Sequence, residues 1–376
     1  MLPYGRQAID DDDVAAVVAA LRSDWLTTGP AVDAFEAAVS AHAGGGEVVS
    51  VTSGTAALHV AYAATGVGPG DEVVTSPLTF VATAATAVLQ GATVVFADVE
   101  PDTGNLDVEA ARAAITPRTR VVTAVDYAGL PAEPEAFAAL AREHGLHYVA
   151  DAAHSIGSTW GGRPVGSFAD LTTMSFFPTK NITTGEGGAV VSADPELAGR
   201  ARRFHNHGLV RDPAAQRWPD EGPWHQEVHE LGLNYRLPDV LAALGTAQLR
   251  RLDAFKARRT ELHARYDAGL ADVPGVRTPA HRDQADPMWH LYPLRVLEGR
   301  RREVFDALRA AGIGVQVNYI PAYWHPAFAD RGYRRGLCPN AEEYYRQEIS
   351  LPLFPGLADD DVDRVIEVIR RTVGDR

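Results

Sequence analysis

Two of the 35 basic residues in this 376-residue chain are lysines, Lys180 and Lys256, and the other 33 are arginines. A guanidinium stays protonated and cannot act as a nucleophile, so the lysines are where amine chemistry is to be sought. Lys256 stands with Asp253, Arg258 and Arg259 on a helical pattern and reads as part of a solvated helix face. Lys180 has different surroundings. It follows Ser175-Phe176-Phe177-Pro178-Thr179 and precedes Asn181-Ile182-Thr183-Thr184-Gly185-Glu186-Gly187-Gly188, a strand running into a Gly-rich loop. An amine close to apolar side chains has its pKa lowered and can form a Schiff base with an aldehyde.

Three further groups fall where strands give way to loops or helices. Ser53-Gly54-Thr55 is a small-residue turn before a helical segment. Free amides and hydroxyls at a helix start suit a phosphate, although the same turn also serves as a plain cap. Asp151 ends the run His147-Tyr148-Val149-Ala150 and either caps a helix or faces a ligand. Asn234, in Leu233-Asn234-Tyr235-Arg236-Leu237, opens a long helical stretch and by itself reads as a cap. Together these groups fit one chemical task. Pyridoxal 5'-phosphate needs an amine for its aldehyde, an acid to keep its ring nitrogen protonated and donors for its phosphate. Lys180 supplies the first, Asp151 the second, and Ser53, Gly54, Thr55 and Ser175 the third. Phe80, in Pro77-Leu78-Thr79-Phe80 after a strand end, is available to stack on the ring.

The elements that must position these groups alternate. Apolar, β-branched runs at 47–52, 72–76, 93–99, 120–125, 147–150, 171–177 and 189–192 are separated by Ala-rich segments of helical length. That alternation predicts an α/β fold, a mainly parallel central sheet with helices on both faces, whose functional groups gather at the carboxyl ends of its strands. The acidic run Asp10–Asp13 reads as the capped start of a helix. After Leu237 the pattern predicts one long helix to Leu270. A strand over 290–297, a helix over 302–311, a strand over 314–319 and a closing helix over 359–371 follow. The division is a large α/β domain with an N-terminal arm over residues 1–249 and a smaller α+β domain over 250–376.

Composition narrows the class. Against 35 basic residues stand 49 acidic ones, a net charge of −14, which offers no excess to attract nucleic acid or an anionic membrane. Cys338 is the single cysteine, so no intrachain disulfide forms and a reducing, cytoplasmic setting is expected. No apolar run is long enough for a membrane span, and Met1–Arg6 lacks the apolar stretch of a signal peptide.

Over essentially its whole length the chain resembles the DegT/DnrJ/EryC1/StrS sugar aminotransferases of the fold-type-I pyridoxal-phosphate class. The resemblance is carried by Trp25-Leu26-Thr27-Thr28-Gly29-Pro30, the Ser53 turn, Asp71-Glu72-Val73 and Asp151-Ala152-Ala153-His154-Ser155. It continues through the Lys180 segment, Gly232-Leu233-Asn234-Tyr235-Arg236 and Ile349-Ser350-Leu351-Pro352. Asp126-Tyr127-Ala128-Gly129 and the segment around Tyr319-Ile320-Pro321 are similar to the transaminases of pseudaminic acid biosynthesis, which aminate C4 of a UDP-linked 4-keto-6-deoxy-N-acetyl sugar. The resemblance implies L-glutamate as amino donor, pyridoxamine 5'-phosphate as the intermediate cofactor form, and a homodimer with shared active sites. Asn234 would then reach the partner's cofactor phosphate. Tyr4, Trp25, Leu26, Thr27, Thr28, His154, Val317, Asn318, Tyr319 and Ile320 would lie near the sugar nucleotide. His154, which stands where many relatives carry glutamine, would also touch the cofactor. A dTDP-linked sugar or a C3 ketone is the alternative substrate.

Other readings carry less. His225-x-x-x-His229 with Glu230 has metal-ligand spacing but no third ligand, and no metal is expected. His205-Asn206-His207 either caps a helix or binds an anion. Tyr319, Tyr323, Trp324 and Phe328 are small-domain core or pocket wall. A sugar dehydratase on this fold carries histidine in place of Lys180. A non-catalytic binding protein has no use for the Lys180, Asp151 and Ser175 set. A nicotinamide-linked epimerase needs Gly-x-Gly-x-x-Gly, which Ser53-Gly54-Thr55-Ala56-Ala57-Leu58 does not provide.

Overall fold

Short runs rich in β-branched residues form strands whose centres are buried on both faces. A computed structural model, describing residues 1–374, builds its central sheet from the seven runs named above. These are β1 (Glu47–Val51), β2 (Glu72–Thr75), β3 (Thr93–Phe96), β4 (Thr119–Val125), β5 (His147–Asp151), β6 (Leu171–Ser175) and β7 (Gly188–Ser192). Their spatial order is β1-β7-β6-β5-β4-β2-β3. The strands β2 to β6 pair in parallel, whereas β7 runs antiparallel to both β6 and β1. Register places Asp151 of β5 beside Thr173 of β6, and Ser175 opposite Gly188. The Lys180 loop joins two neighbouring strands and so folds back over the carboxyl edge where Asp151 ends its strand.

Helices cover both faces: α1 (Asp11–Arg22), α2 (Pro30–His42), α3 (Gly54–Thr65), α4 (Ala82–Leu89), α5 (Val108–Ala114), α6 (Pro134–His144), α7 (Pro195–Phe204) and α8 (Asp239–Leu249). Alternation along each strand divides the core. Val121, Val149 and Val190 pack with Ala57, Val60 and Ala61 of α3. On the opposite face Val122 and Tyr148 meet Phe137 of α6, and Val191 joins the cluster around Phe35 of α2. The Asp10–Asp13 run forms a capping box, each carboxylate accepting the other residue's amide.

A three-stranded antiparallel sheet follows, β8 (Val276–Arg277), β9 (Tyr292–Val296) and β10 (Glu348–Leu351), with β9 central. It packs against α9 (Leu252–Leu270), α10 (Arg301–Ala310) and the helix Asp359–Gly374 through Leu262, Tyr266, Leu294, Val304 and Ile369. Leu252 and Phe255, in the first turn of α9, belong instead to the core of the central sheet. Tyr323 and Phe328 are buried in that core too, whereas Tyr319 reaches the cavity described below.

Three local readings change. The helix expected from Leu237 to Leu270 breaks between Leu249 and Leu252, where Arg251 is drawn to Asp10 and Asp13 at the start of α1. The strand expected over 314–319 reduces to single bridges, Leu2–Ile313 and Gln316–Ser350. Side chains have taken the backbone groups a ladder would use: the Asn318 amide donates to Glu348, and its carbonyl accepts from the Tyr127 hydroxyl. Lys256 is no free surface cation, since its Nζ donates to the carbonyls of Gly157 and Asp286 and pairs with the Asp286 carboxylate at 2.7 Å. Among the described residues no helix is long and apolar enough to cross a membrane.

Candidate active site

A cavity of about 520 Å³ opens at the carboxyl edge of β4, β5 and β6. Lys180 lines it, held by a turn in which its amide donates to the Phe177 carbonyl at 2.9 Å. The loop behind is fastened by Thr183 Oγ1 donating to Phe176 O and by Phe176 packed edge-on against Phe35. The Lys180 amine makes no hydrogen bond among the described residues. Its pKa is lowered to about 8, because desolvation outweighs the opposing attraction of Asp151. The neutral amine is therefore far more populated near neutral pH than for an ordinary lysine.

Asp151 lines the same cavity and is almost wholly buried. Its Oδ2 accepts from Thr83 Oγ1 at 2.7 Å and its Oδ1 from the Ala153 amide at 3.2 Å. Burial raises its pKa, while Thr83, the Ala153 amide and the nearby Lys180 oppose that rise. It caps no helix. Of the two readings open for this residue, capping is not what it does here, and its carboxylate lines the cavity.

The third wall is the start of α3. Ser53 caps it by accepting from the Ala56 amide, which leaves the amides of Gly54 and Thr55 unengaged within the helix. Gly54 is required by close approach: a Cβ there would stand 2.7 Å from Ser175 Cβ. Ser175 is thereby brought against the helix start, and Ser53, Gly54, Thr55 and Ser175 line one end of the cavity together.

The remaining wall comes from distant parts of the chain. Tyr4, Phe80, His154, Asn318 and Tyr319 all line the cavity. The Asn318 side chain donates to Tyr4 Oη at 2.8 Å, and His154 Nε2 bonds Tyr319 Oη at 3.1 Å. Phe80 is exposed at the mouth and meets Tyr319 edge-on. Trp25, Leu26, Thr27, Thr28, Val317 and Ile320 do not line it. Trp25 to Thr28 lie instead against the start of α8, where the Asp239 amide donates to Leu26 O. Asn234 is exposed and also lies outside this cavity.

Sequence reasoning missed Thr83, Glu186 and His290, all of which line the cavity. Sequence reasoning gives Glu186 no role although it lies in the Gly-rich loop after Lys180, and no local motif marks Thr83 or His290. Thr83 lies 68 residues before the carboxylate it supports. His290 follows Trp289 into β9, and its ring lies tilted against that of His154 with centroids 4.4 Å apart. Burial, reinforced by His154, Lys180 and Arg259, keeps His290 neutral.

Beneath the wall lies Glu348, wholly buried, accepting from the Asn318 amide at 2.7 Å and from Ser350 Oγ. Burial pushes its pKa up to about 8. A carboxyl raised in the folded state contributes fully below its unfolded pKa of about 4.3, and that contribution is lost as pH rises through about 8. Glu348→Gln is neutral throughout. Its stability relative to the native chain, followed by thermal melting, is expected to climb between about pH 4.5 and 8 and then level, a gain on the order of a few kcal/mol. A difference that does not change with pH would contradict this.

Elsewhere, His205 caps α7 by bonding the Arg202 carbonyl, and burial lowers its pKa to about 4. His225 and His229 flank the Glu227 carboxylate, and Glu230 pairs instead with Arg203.

The residues present fit pyridoxal phosphate: an unengaged amine, a buried carboxylate and an open helix start share one cavity. Comparison with known proteins agrees. The profile of the DegT/DnrJ/EryC1/StrS aminotransferase family matches residues 7–370. The spore coat polysaccharide biosynthesis protein SpsC of Bacillus subtilis is 42% identical over 99% of this chain and 97% of its own. A putative sugar aminotransferase of Streptococcus pneumoniae, Spr1654, solved in pyridoxamine- and pyridoxal-phosphate forms, is 30% identical. In the former it superposes with a TM-score of 0.93 over 100% of this chain and 99% of its own. Helicobacter pylori PseC, an aminotransferase involved in pseudaminic acid biosynthesis, is 30% identical with a TM-score of 0.91 over the whole of both chains.

Proposed function

This chain belongs to the DegT/DnrJ/EryC1/StrS aminotransferase family and is a pyridoxal-phosphate-dependent sugar aminotransferase, and on that premise we propose that it moves an amino group from L-glutamate to C4 of a nucleotide-linked 4-keto-6-deoxy sugar. The observation that carries the proposal is the meeting of Lys180, Asp151 and the start of α3 in one cavity. When bound, the cofactor supplies an aldehyde carbon for the travelling amine and a conjugated ring that takes up the electrons left when the donor's α-proton departs. Lys180 Nζ would hold that aldehyde and, as a free amine, would serve as the acid and base for the donor's α-proton. The Asp151 carboxylate, aimed by Thr83, holds a proton at the ring nitrogen. The amides of Gly54 and Thr55, with Ser53 and Ser175, hold the phosphate, and Phe80 covers the ring.

We assign the sugar to Tyr4, His154, Asn318 and Tyr319, neutral hydrogen-bonding groups that suit hydroxyls and a carbonyl. The reading includes a homodimer in which Asn234, and with it Trp25 to Thr28, serves the partner's site. Its support is that Asn234 is exposed and outside its own cavity, and that Phe80 and Phe177 line the cavity while staying 59% and 45% exposed. For the substrate, UDP-2-acetamido-2,6-dideoxy-4-hexulose is favoured by the likeness to PseC. A second reading, another keto sugar of a surface polysaccharide, draws on the higher identity to SpsC.

The test is a spectral half-reaction. L-Glutamate converts the enzyme to its pyridoxamine form, and candidate keto sugars are then added singly. Return of the starting spectrum with the UDP-linked 4-keto sugar is expected. Return only with a dTDP-linked or 3-keto sugar would overturn the substrate while leaving the activity standing.

A further inference from the structure

Away from the cavity, His263 Nδ1, Asp267 Oδ2 and His281 Nε2 lie within 4.8 Å of one another. We propose that these three side chains form a binding site for a zinc-class divalent cation, tying the loop at His281 to α9.

The argument begins with spacing. His263 and Asp267 are one helical turn apart, so they share a face of α9. Asp267 Oδ2 stands 3.2 Å from His263 Nδ1 and 3.0 Å from His281 Nε2. A charge-assisted imidazole–carboxylate hydrogen bond closes to about 2.7–2.9 Å. Four ligands about 2.0–2.1 Å from a tetrahedral ion are about 3.3 Å apart. The observed separations of 3.0 and 3.2 Å fit an ordinary N–H···O hydrogen bond and fall only a few tenths of an ångström short of the tetrahedral spacing, so an ion needs only small shifts to enter.

Two of the three ligands are already oriented. The His263 ring lies flat on Trp289, with centroids 4.0 Å apart and planes at 16°. The other Asp267 oxygen accepts from Tyr292 Oη at 2.8 Å, an outer contact that fixes the direction of Oδ2. The third ligand, His281, is on an exposed loop, so water has access to the fourth position. Two imidazoles and one carboxylate select zinc, cobalt or nickel over calcium or magnesium, which prefer oxygen donors throughout. An ion here would stiffen Trp289, and the next residue, His290, lines the active-site cavity. The site is built on other side chains than the catalytic ones and does not depend on the substrate assignment.

Equilibrium dialysis of the full-length, cofactor-loaded protein against Zn2+ tests it. About one Zn2+ should be retained per chain, and the ion should raise the melting temperature. His281→Ala, a change on the surface, should lose both effects while melting normally without metal. Asp267→Asn, which keeps an oxygen for Tyr292, should lose them as well. His229→Ala, which opens the separate His225–Glu227–His229 cluster, should keep them. No retained Zn2+ in the native chain, or retention unchanged in His281→Ala, overturns the proposal and leaves a plain hydrogen-bonded triad.

Discussion

Lys180→Arg is expected to lower turnover by on the order of 10³- to 10⁴-fold or more, because guanidinium neither anchors the cofactor aldehyde nor carries a proton at neutral pH. The chain makes this test unusually clean. Its only other lysine, Lys256, is held by the Gly157 and Asp286 carbonyls and the Asp286 carboxylate. Borohydride reduction of the holoenzyme should therefore fix cofactor to one lysine in the native chain and to none in the variant. With the Lys180 amine half-protonated near pH 8, cofactor attachment to the apoprotein should rise through that pH, well below the ordinary range for lysine. Measurable turnover in Lys180→Arg, or label on Lys256, would sink the assignment. The shared-site reading is tested beside it. Mixing Lys180→Ala and Asn234→Ala chains should restore a native site in the mixed dimer, and no recovery counts against sharing.

Asp151→Asn should cost about 10²- to 10⁴-fold in turnover while leaving the fold intact. Asparagine keeps an oxygen for the Ala153 amide and can donate to Thr83 Oγ1, so the local hydrogen bonds survive. The lost element is the negative charge facing the ring nitrogen. That charge also favours protonated Lys180, so its removal should move the attachment midpoint below about pH 8. Borohydride should still fix the cofactor in this variant. Unchanged turnover would show that Asp151 does not govern the ring proton. An unfolded variant would show that its main service is structural.

Both residues are legible in the amino-acid sequence because their signals are local. Lys180 stands out by composition, and it ends in the cavity because the loop carrying it joins two adjacent strands, β6 and β7. Asp151 is the last residue of an apolar run, and the last residue of a parallel strand arrives at the carboxyl edge of the sheet wherever that strand lies. Ser53 and Gly54 are likewise fixed by a strand-to-helix junction. The seven central strands are readable for the same reason: a β-branched run buried on both faces needs no distant partner to declare itself.

What the sequence alone could not determine is which separate loops meet. Thr83 supports Asp151 because β5 lies two strands from β2 in the sheet order, a fact set by crossovers and absent from any local pattern. His290 reaches the cavity because the loop before β9 hooks onto the turn at Ala128, whose carbonyl accepts the His290 amide. Glu348 removes Asn318 from its expected strand by accepting its amide, and Lys256 leaves solvent for two carbonyls on other segments. Local sequence determines the type of each element and the residue at its end, because backbone sterics and burial act over a few residues. Which ends converge on one cavity is decided by tertiary packing, because contacts between segments distant in the chain depend on the order of the sheet.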